Sequence, residues 1–190
     1  GALLSTYGIP DLGLLTKFRA AIRGKITVVV GQEATCSIPD VTYVVPPGAP
    51  CAVQHSKFYL IASPQWVRVI ISSGNLQEDQ WIDYQQIVWV ADAPRQAAPT
   101  EFGSYMQFFL TQLGGESPRL QAWTDIISSA DFSEIQAHLV ASVPGEHSAH
   151  QAWGLNRLRD LLGVVDWPPR TSEELFMSST ACLGGSLDSK

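Results

Sequence analysis

The chain is poor in charge. Only 16% of its 190 residues are Asp, Glu, Lys or Arg, against about a quarter in an average globular protein. Lysine is scarcest: Lys17, Lys25, Lys57 and Lys190 are all there are. Acidic residues outnumber basic ones by 18 to 12, for a net charge of -6. That excludes the broad basic face of a non-specific nucleic-acid binder, while leaving room for a small local patch. Cysteine is also rare. Cys36, Cys51 and Cys182 are odd in number, lack metal-ligand spacing and read as free thiols. No carboxylate or Cys/His cluster is spaced to hold a metal. No apolar run is long enough to cross a bilayer, and no leader pattern precedes the first strand. The opening Gly1-Ala2-Leu3-Leu4 has no initiator Met and reads as a boundary or processed end. The close, Leu183 to Lys190, carries no clear final element and reads as the edge of a fragment.

What is present is an alternation of short β-branched runs and amphipathic stretches, with 45% hydrophobic residues overall. Leu12, Leu15, Phe18 and Ile22 recur near the helical period and predict a helix over Asp11 to Arg23, stopped by Gly24. Lys25 to Val30, Val41 to Val45, His55 to Ala62, Val67 to Ser72 and Gln86 to Val90 read as strands. Ser63-Pro64-Gln65 makes a hairpin of the middle pair. Pro46 to Pro50 is a rigid turn, and Ala91 to Thr100, with Pro94 and Pro99, a loop. Helices are expected from Glu101 to Gly114, over Gln121 to Ser128, and over Ala149 to Leu162. Gln136 to Ala141 and Glu174 to Ser178 read as further strands. The pattern predicts one α/β domain over residues 1–190: a mixed β-sheet with helices packed on both faces.

The chemistry gathers in His55-Ser56-Lys57 and Ser72-Ser73-Gly74-Asn75. Residues two apart on a strand share a face, about 7 Å apart. In a hairpin the end of the second strand returns beside the start of the first, so Asn75 is expected next to His55 and Lys57. A neutral imidazole can act as nucleophile or base near neutral pH. An ammonium and an amide can neutralise and orient phosphoryl oxygens. The set suits a phosphate diester and needs no metal or other cofactor. Short motifs recur by chance, and the plain alternative is a half-exposed strand face with an Asn in a turn.

These motifs resemble those of the phospholipase D superfamily, whose signature is His-x-Lys followed by a Gly/Ser-rich turn with Asn. Ala62 stands where many members carry Asp, the pattern of the tyrosyl-DNA phosphodiesterase branch. Asn75-Leu76, Trp81, Gln85-Gln86 and Trp89, then Leu139 to Gly145 with Trp153-Gly154, then Ser178 to Gly184 resemble successive stretches of that family. In the last, Cys182 stands where Ser is usual. The resemblance implies a phospholipase D-like half-enzyme in which His55 attacks phosphorus. Lys57 and Asn75 would bind the phosphoryl oxygens, and Gln86 would support them. Ser178 and Ser179 would line the DNA path, and Trp81 is open to stacking on a base. The implied substrate is single-stranded DNA ending in a 3′-phosphotyrosyl peptide, a topoisomerase I adduct, and the implied setting is DNA repair in the nucleus, without a membrane. A second His-x-Lys set is absent, so the acid is expected from a missing C-terminal half or a second copy of the chain. The sequence leaves two other readings open. One is a non-catalytic binding or scaffold module. The other is a single-motif dimer acting on RNA, a phospholipid, or ubiquitin or another protein conjugate. Among the remaining candidates, His138 is expected packed on a strand, and His147 and His150 solvated or capping. Trp66 and Trp89 are expected in the core.

Overall fold

The computed structural model describes residues 1–33, 35–48, 52–148 and 152–164. Its elements, in chain order, are β1 (Ala2–Thr6), α1 (Leu12–Ala21), β2 (Ile26–Val30), β3 (Val41–Val44), β4 (Phe58–Ala62), β5 (Trp66–Ser72), α2 (Glu78–Ile82), β6 (Val88–Pro94), α3 (Glu101–Gly114), α4 (Pro118–Ser128) and α5 (Gly154–Val164). The six strands form one mixed sheet in the order β3-β2-β1-β4-β5-β6. β1 to β3 run parallel, and β1, β4, β5 and β6 pair antiparallel.

The first strand is the hinge of this topology. Every residue of β1 is buried. Leu4 faces Val28 on one side and Tyr59 on the other. Alternation sends Leu3 to one face of the sheet, and Ala2 and Leu4 to the other. Leu3, Phe58, Leu60, Val67 and Val69 join the core beneath α3 and α4. Ala2, Leu4, Ile26, Val28 and Tyr59 join Leu15, Leu14 and Phe18 of α1. Helices thus cover both faces, as the sequence predicts.

Local chemistry sets the helix ends. Asp11 caps α1, its Oδ1 accepting from the Gly13 and Leu14 N–H groups. Thr100 caps α3 by accepting from the Gly103 N–H. α3 stops at Gly115, whose φ of 51° is in the left-handed region. Pro118 then opens α4 at its first turn.

Several expected boundaries move. Ala2–Thr6, read as a chain end, is the central strand; it is too short for its alternation to register before the sheet exists. The strand expected from His55 begins at Phe58, leaving His55 and Lys57 just ahead of it. The strand expected over Gln86 to Val90 is Val88–Pro94. It runs into the expected Pro-rich loop because an edge strand tolerates a terminal Pro. Glu78–Ile82, to which the sequence assigns no element, is a single helical turn with acidic residues at its start. Gln136 to Ala141 is not a strand. It has no strand neighbour, and side chains take its polar groups: Tyr105 Oη accepts from the Ala141 N–H and Arg157 Nε donates to the Leu139 carbonyl. The last helix starts at Gly154 rather than Ala149. The expected strand Glu174 to Ser178 lies outside the described residues.

A β-carbon added to Gly114 would sit 2.6 Å from Leu120 Cβ. In an open helix, Gly→Ala stabilises by roughly 0.5–1 kcal/mol. Here Gly114→Ala is expected to destabilise instead, by about 1–3 kcal/mol, because α3 and α4 must part. Urea unfolding decides the sign, and a gain in stability would show that the helices pack with slack.

Candidate functional site

The site is assembled around the last residues of β1 and the residue that follows. Ser5 faces a buried polar cluster. Gln54, only 2% exposed, donates from Nε2 to Ser5 Oγ at 2.8 Å and Ser56 Oγ at 2.6 Å. Ser5 Oγ donates to the Ser56 carbonyl at 2.9 Å. A buried amide must find partners or lose stability, and these fix the chain from Gln54 to Ser56. The flanking His55 is exposed and Lys57 half-buried. The Ser72 N–H donates to the Lys57 carbonyl at 3.0 Å, which ties this segment to the end of β5.

Lys57 Nζ lies 2.8 Å from His55 Nδ1 and donates to the His55 carbonyl at 2.9 Å. The imidazole also rests against Tyr7, with ring centroids 4.5 Å apart and planes tilted by 38°. Burial lowers the His55 pKa below 6.5, and the neighbouring Lys57 ammonium lowers it further. Burial also lowers the Lys57 amine below 10.5. At neutral pH the imidazole is therefore predominantly uncharged.

Asn75 is held from three sides. Its Oδ1 accepts from the Tyr7 N–H at 3.1 Å and Thr6 Oγ1 at 3.2 Å. Its N–H and Nδ2 both donate to Gln80 Oε1, at 2.8 and 3.2 Å. Its carbonyl accepts from Trp81 Nε1 at 2.7 Å. The expected direct meeting of Asn75 with His55 and Lys57 is not made: among the described residues no hydrogen bond joins them. Tyr7 links them instead, with its N–H on Asn75 and its ring on His55. A hairpin brings strand ends to the same region but cannot aim an amide. Here Thr6 and Gln80, both unmarked by the sequence, aim it. Gln80 stands five residues beyond Asn75 on α2, and its spacing is a signal only once α2 is recognised.

Gln86 buttresses the turn. Its Oε1 accepts from Ser73 Oγ at 2.6 Å, and its Nε2 donates to the Gln80 carbonyl at 2.8 Å. Ser73 Oγ accepts from the Ile87 N–H. Gly74 packs tightly: a β-carbon there would lie 3.0 Å from the Trp81 ring and 3.1 Å from Gln86. Tyr59 Oη donates to the Gly74 carbonyl at 2.9 Å, and burial pushes the phenol above its usual pKa. Trp81 is 38% exposed, with one ring edge committed to Asn75. A cavity of about 490 Å³ borders this end of the sheet. His55, Lys57 and Ser73 line its polar side, and Met106, Phe109 and Val143 part of its apolar wall.

Other expectations are corrected. His138 is exposed rather than packed on a strand. Its Nδ1 lies 3.1 Å from Glu101 Oε2, and Glu101 also pairs with Arg157. His147 Nε2 meets the Val143 carbonyl at 2.9 Å, within reach of the Trp153 ring. Trp66 is 37% exposed rather than core; it lies at the start of β5 with the Arg68 guanidinium over its ring. Trp89 does pack, against Phe102. His150, Cys51, Ser178, Ser179 and Cys182 lie outside the described residues. Among the described residues, no group of three His, Cys, Asp or Glu is placed to hold a metal ion, and no helix is long and apolar enough to cross a membrane.

The mixed six-stranded sheet with helices on both faces is an α/β fold, and its likeness to the solved structures below makes it phospholipase D-like in fold. A sequence model of the tyrosyl-DNA phosphodiesterase family matches residues 3–190, and the chain belongs to that family. It is 32% identical over 126 residues to tyrosyl-DNA phosphodiesterase 1 of Drosophila melanogaster, a match covering 60% of this chain and 22% of the relative. It is 27% identical over 156 residues to the Arabidopsis thaliana protein of the same name, covering 72% of this chain and 25% of that one. The chain thus spans about a quarter of the length of these curated relatives. In fold it is similar to yeast tyrosyl-DNA phosphodiesterase, with a TM-score of 0.54 at 16% identity over 70% of this chain and 35% of the yeast chain. A mutant of the yeast enzyme gives 0.57 at 14% identity, with the same coverage.

Two measurements check this geometry. The His55 ring is expected to titrate below pH 6.5 by NMR, and Lys57→Met is expected to raise its midpoint by removing the adjacent charge. Because the folded pKa is the lower one, the unfolded chain takes the proton first. Stability from this group therefore falls as pH drops from 6.5 to the folded pKa, then levels. Gln80→Leu leaves the Asn75 N–H without its acceptor and is expected to cost about 1–3 kcal/mol in chemical unfolding. Unchanged stability would mean that water replaces Gln80.

Proposed function

We propose that this chain is the nucleophile-bearing part of a metal-independent phosphodiesterase that cleaves 3′-phosphotyrosyl DNA adducts, such as those left by topoisomerase I. The observation that carries the reading is the His55–Lys57 contact of 2.8 Å in the lining of a cavity. It pairs an uncharged imidazole with a cation at one end of a rigid sheet. A ring nitrogen of His55 attacks phosphorus and forms a P–N bond, while the P–O bond to tyrosine breaks. Lys57 and Asn75 hold the non-bridging oxygens as charge builds on them. Gln86, through Ser73 and Gln80, keeps the Asn75 turn in place. Trp81 offers its exposed ring to a base. The departing phenolate takes its proton from an acid supplied by the rest of a longer chain or by a second copy, and water then releases the phosphohistidine. The setting is DNA repair in the nucleus.

The test is a single-stranded oligonucleotide carrying a 3′-phosphotyrosine, incubated with the chain and with His55→Ala, with sizing on the same sample. Tyrosine release, or an acid-labile phosphoryl adduct on His55, is expected from the parent and absent from the variant. If neither appears while the oligonucleotide still binds, the scaffold reading takes its place. The net charge of -6 favours weak, strongly salt-dependent binding by this chain alone.

A further inference from the structure

The two ring nitrogens of His55 have different surroundings. Nδ1 faces Lys57 Nζ at 2.8 Å. Nε2 meets no hydrogen-bonding group among the described residues. An ammonium has three hydrogens and no lone pair, so it can only donate. With Lys57 as the donor, Nδ1 offers its lone pair, and a neutral imidazole that accepts at Nδ1 carries its hydrogen on Nε2. The same Nζ donates to the His55 carbonyl at 2.9 Å, so Lys57 grips its neighbour at both backbone and ring. Tyr7 against the ring and the Ser5–Gln54–Ser56 cluster behind the backbone limit how far the imidazole can turn away.

We infer that Lys57 locks His55 in the Nε2–H form in the resting protein, leaving no lone pair on that nitrogen to attack phosphorus, and that an anionic phosphodiester releases the lock by drawing the ammonium off Nδ1. This rests on His55 being the nucleophile proposed above. The exchange is balanced. Nζ gives up a neutral nitrogen for a charged phosphoryl oxygen, the stronger acceptor. One proton leaves Nε2 for water and another reaches Nδ1 from water, so the ring stays neutral. Nε2 then has the lone pair that forms the P–N bond. Lys57 thus serves in turn as a guard of the free imidazole and a ligand of the substrate, and the ring becomes nucleophilic only when a phosphodiester is present.

The test needs no turnover, so it can fail independently of the proposed activity. The nitrogen-15-labelled chain is studied at about pH 8, where the His55 ring is neutral. Long-range ring correlations are assigned by their loss in His55→Ala. The wild type is expected to show the Nε2–H tautomer alone and Lys57→Met a mixture. Acylation of His55 by diethyl pyrocarbonate is expected to be about fivefold faster in Lys57→Met, the scale of one partly exposed hydrogen bond. Saturating dimethyl phosphate, as a bare diester anion, is expected to move the wild-type ring signals toward those of Lys57→Met and to leave that variant unchanged. An Nδ1–H ring in the free wild type overturns the lock, and that result does not depend on the variant folding. Equal acylation rates do the same. A wild-type spectrum indifferent to dimethyl phosphate overturns the release step. Cleavage of the tyrosyl oligonucleotide by a protein whose ring is a tautomer mixture would sink the lock and spare the proposed function.

Discussion

The structure depends on a strand that is buried on both faces and paired on both edges. β1 is where the parallel and antiparallel halves of the sheet meet. A backbone in that position must have its polar groups paired, because water cannot reach them. Its side chains then have no freedom to choose a face. Ser5 is sent to the face where it anchors Gln54 and Ser56, and Thr6 to the face where it bonds Asn75 and the Leu76 N–H. Tyr7, just past the strand, reaches both clusters. Five buried residues and the one after them thus set the position of the whole candidate site.

This arrangement explains why the site sits where it does. In α/β sheets, ligands bind beyond the carboxyl ends of strands where the topology switches. Here β1 is the switch, and the chain entering β4 and leaving β5 passes its end. The rigid part of the site is the backbone: Gln54 to Ser56 on one side, Gly74 to Leu76 on the other. The soft part is the His55–Lys57 pair of side chains. His55 is exposed and Lys57 half-buried, so each can exchange a protein partner for a ligand at modest cost. A fully buried pair would resist that exchange, because separating it leaves a charge without compensation.

Much of the fold was legible in order and type. The β-branched runs Ile26–Val30 and Trp66–Ser72 and the amphipathic stretch Glu101–Gly114 were read within a residue or two. Burial of one face, or of both, writes itself into composition. Errors came where tertiary context overrides local pattern. Gln136 to Ala141 looks like a strand, but no sheet edge receives it. Glu78–Ile82 is too short to show a period, yet it carries Gln80 and Trp81 to Asn75. His138 alternates like a core residue and pairs with Glu101 at the surface instead.

The sequence by itself determined the family, the presence of His55, Lys57 and Asn75, and the scarcity of other charges that could take their place. Those are matters of residue type and spacing along the chain, which need no third dimension. Only the tertiary structure decided which groups each of the three touches. Asn75 turned to Thr6, Tyr7 and Gln80, and Lys57 turned back on its own neighbour's ring. Hydrogen bonds are short and directional, so the partners Thr6 and Tyr7, 69 and 68 residues from Asn75 in the chain, can be chosen only after the sheet has set their distance and angle.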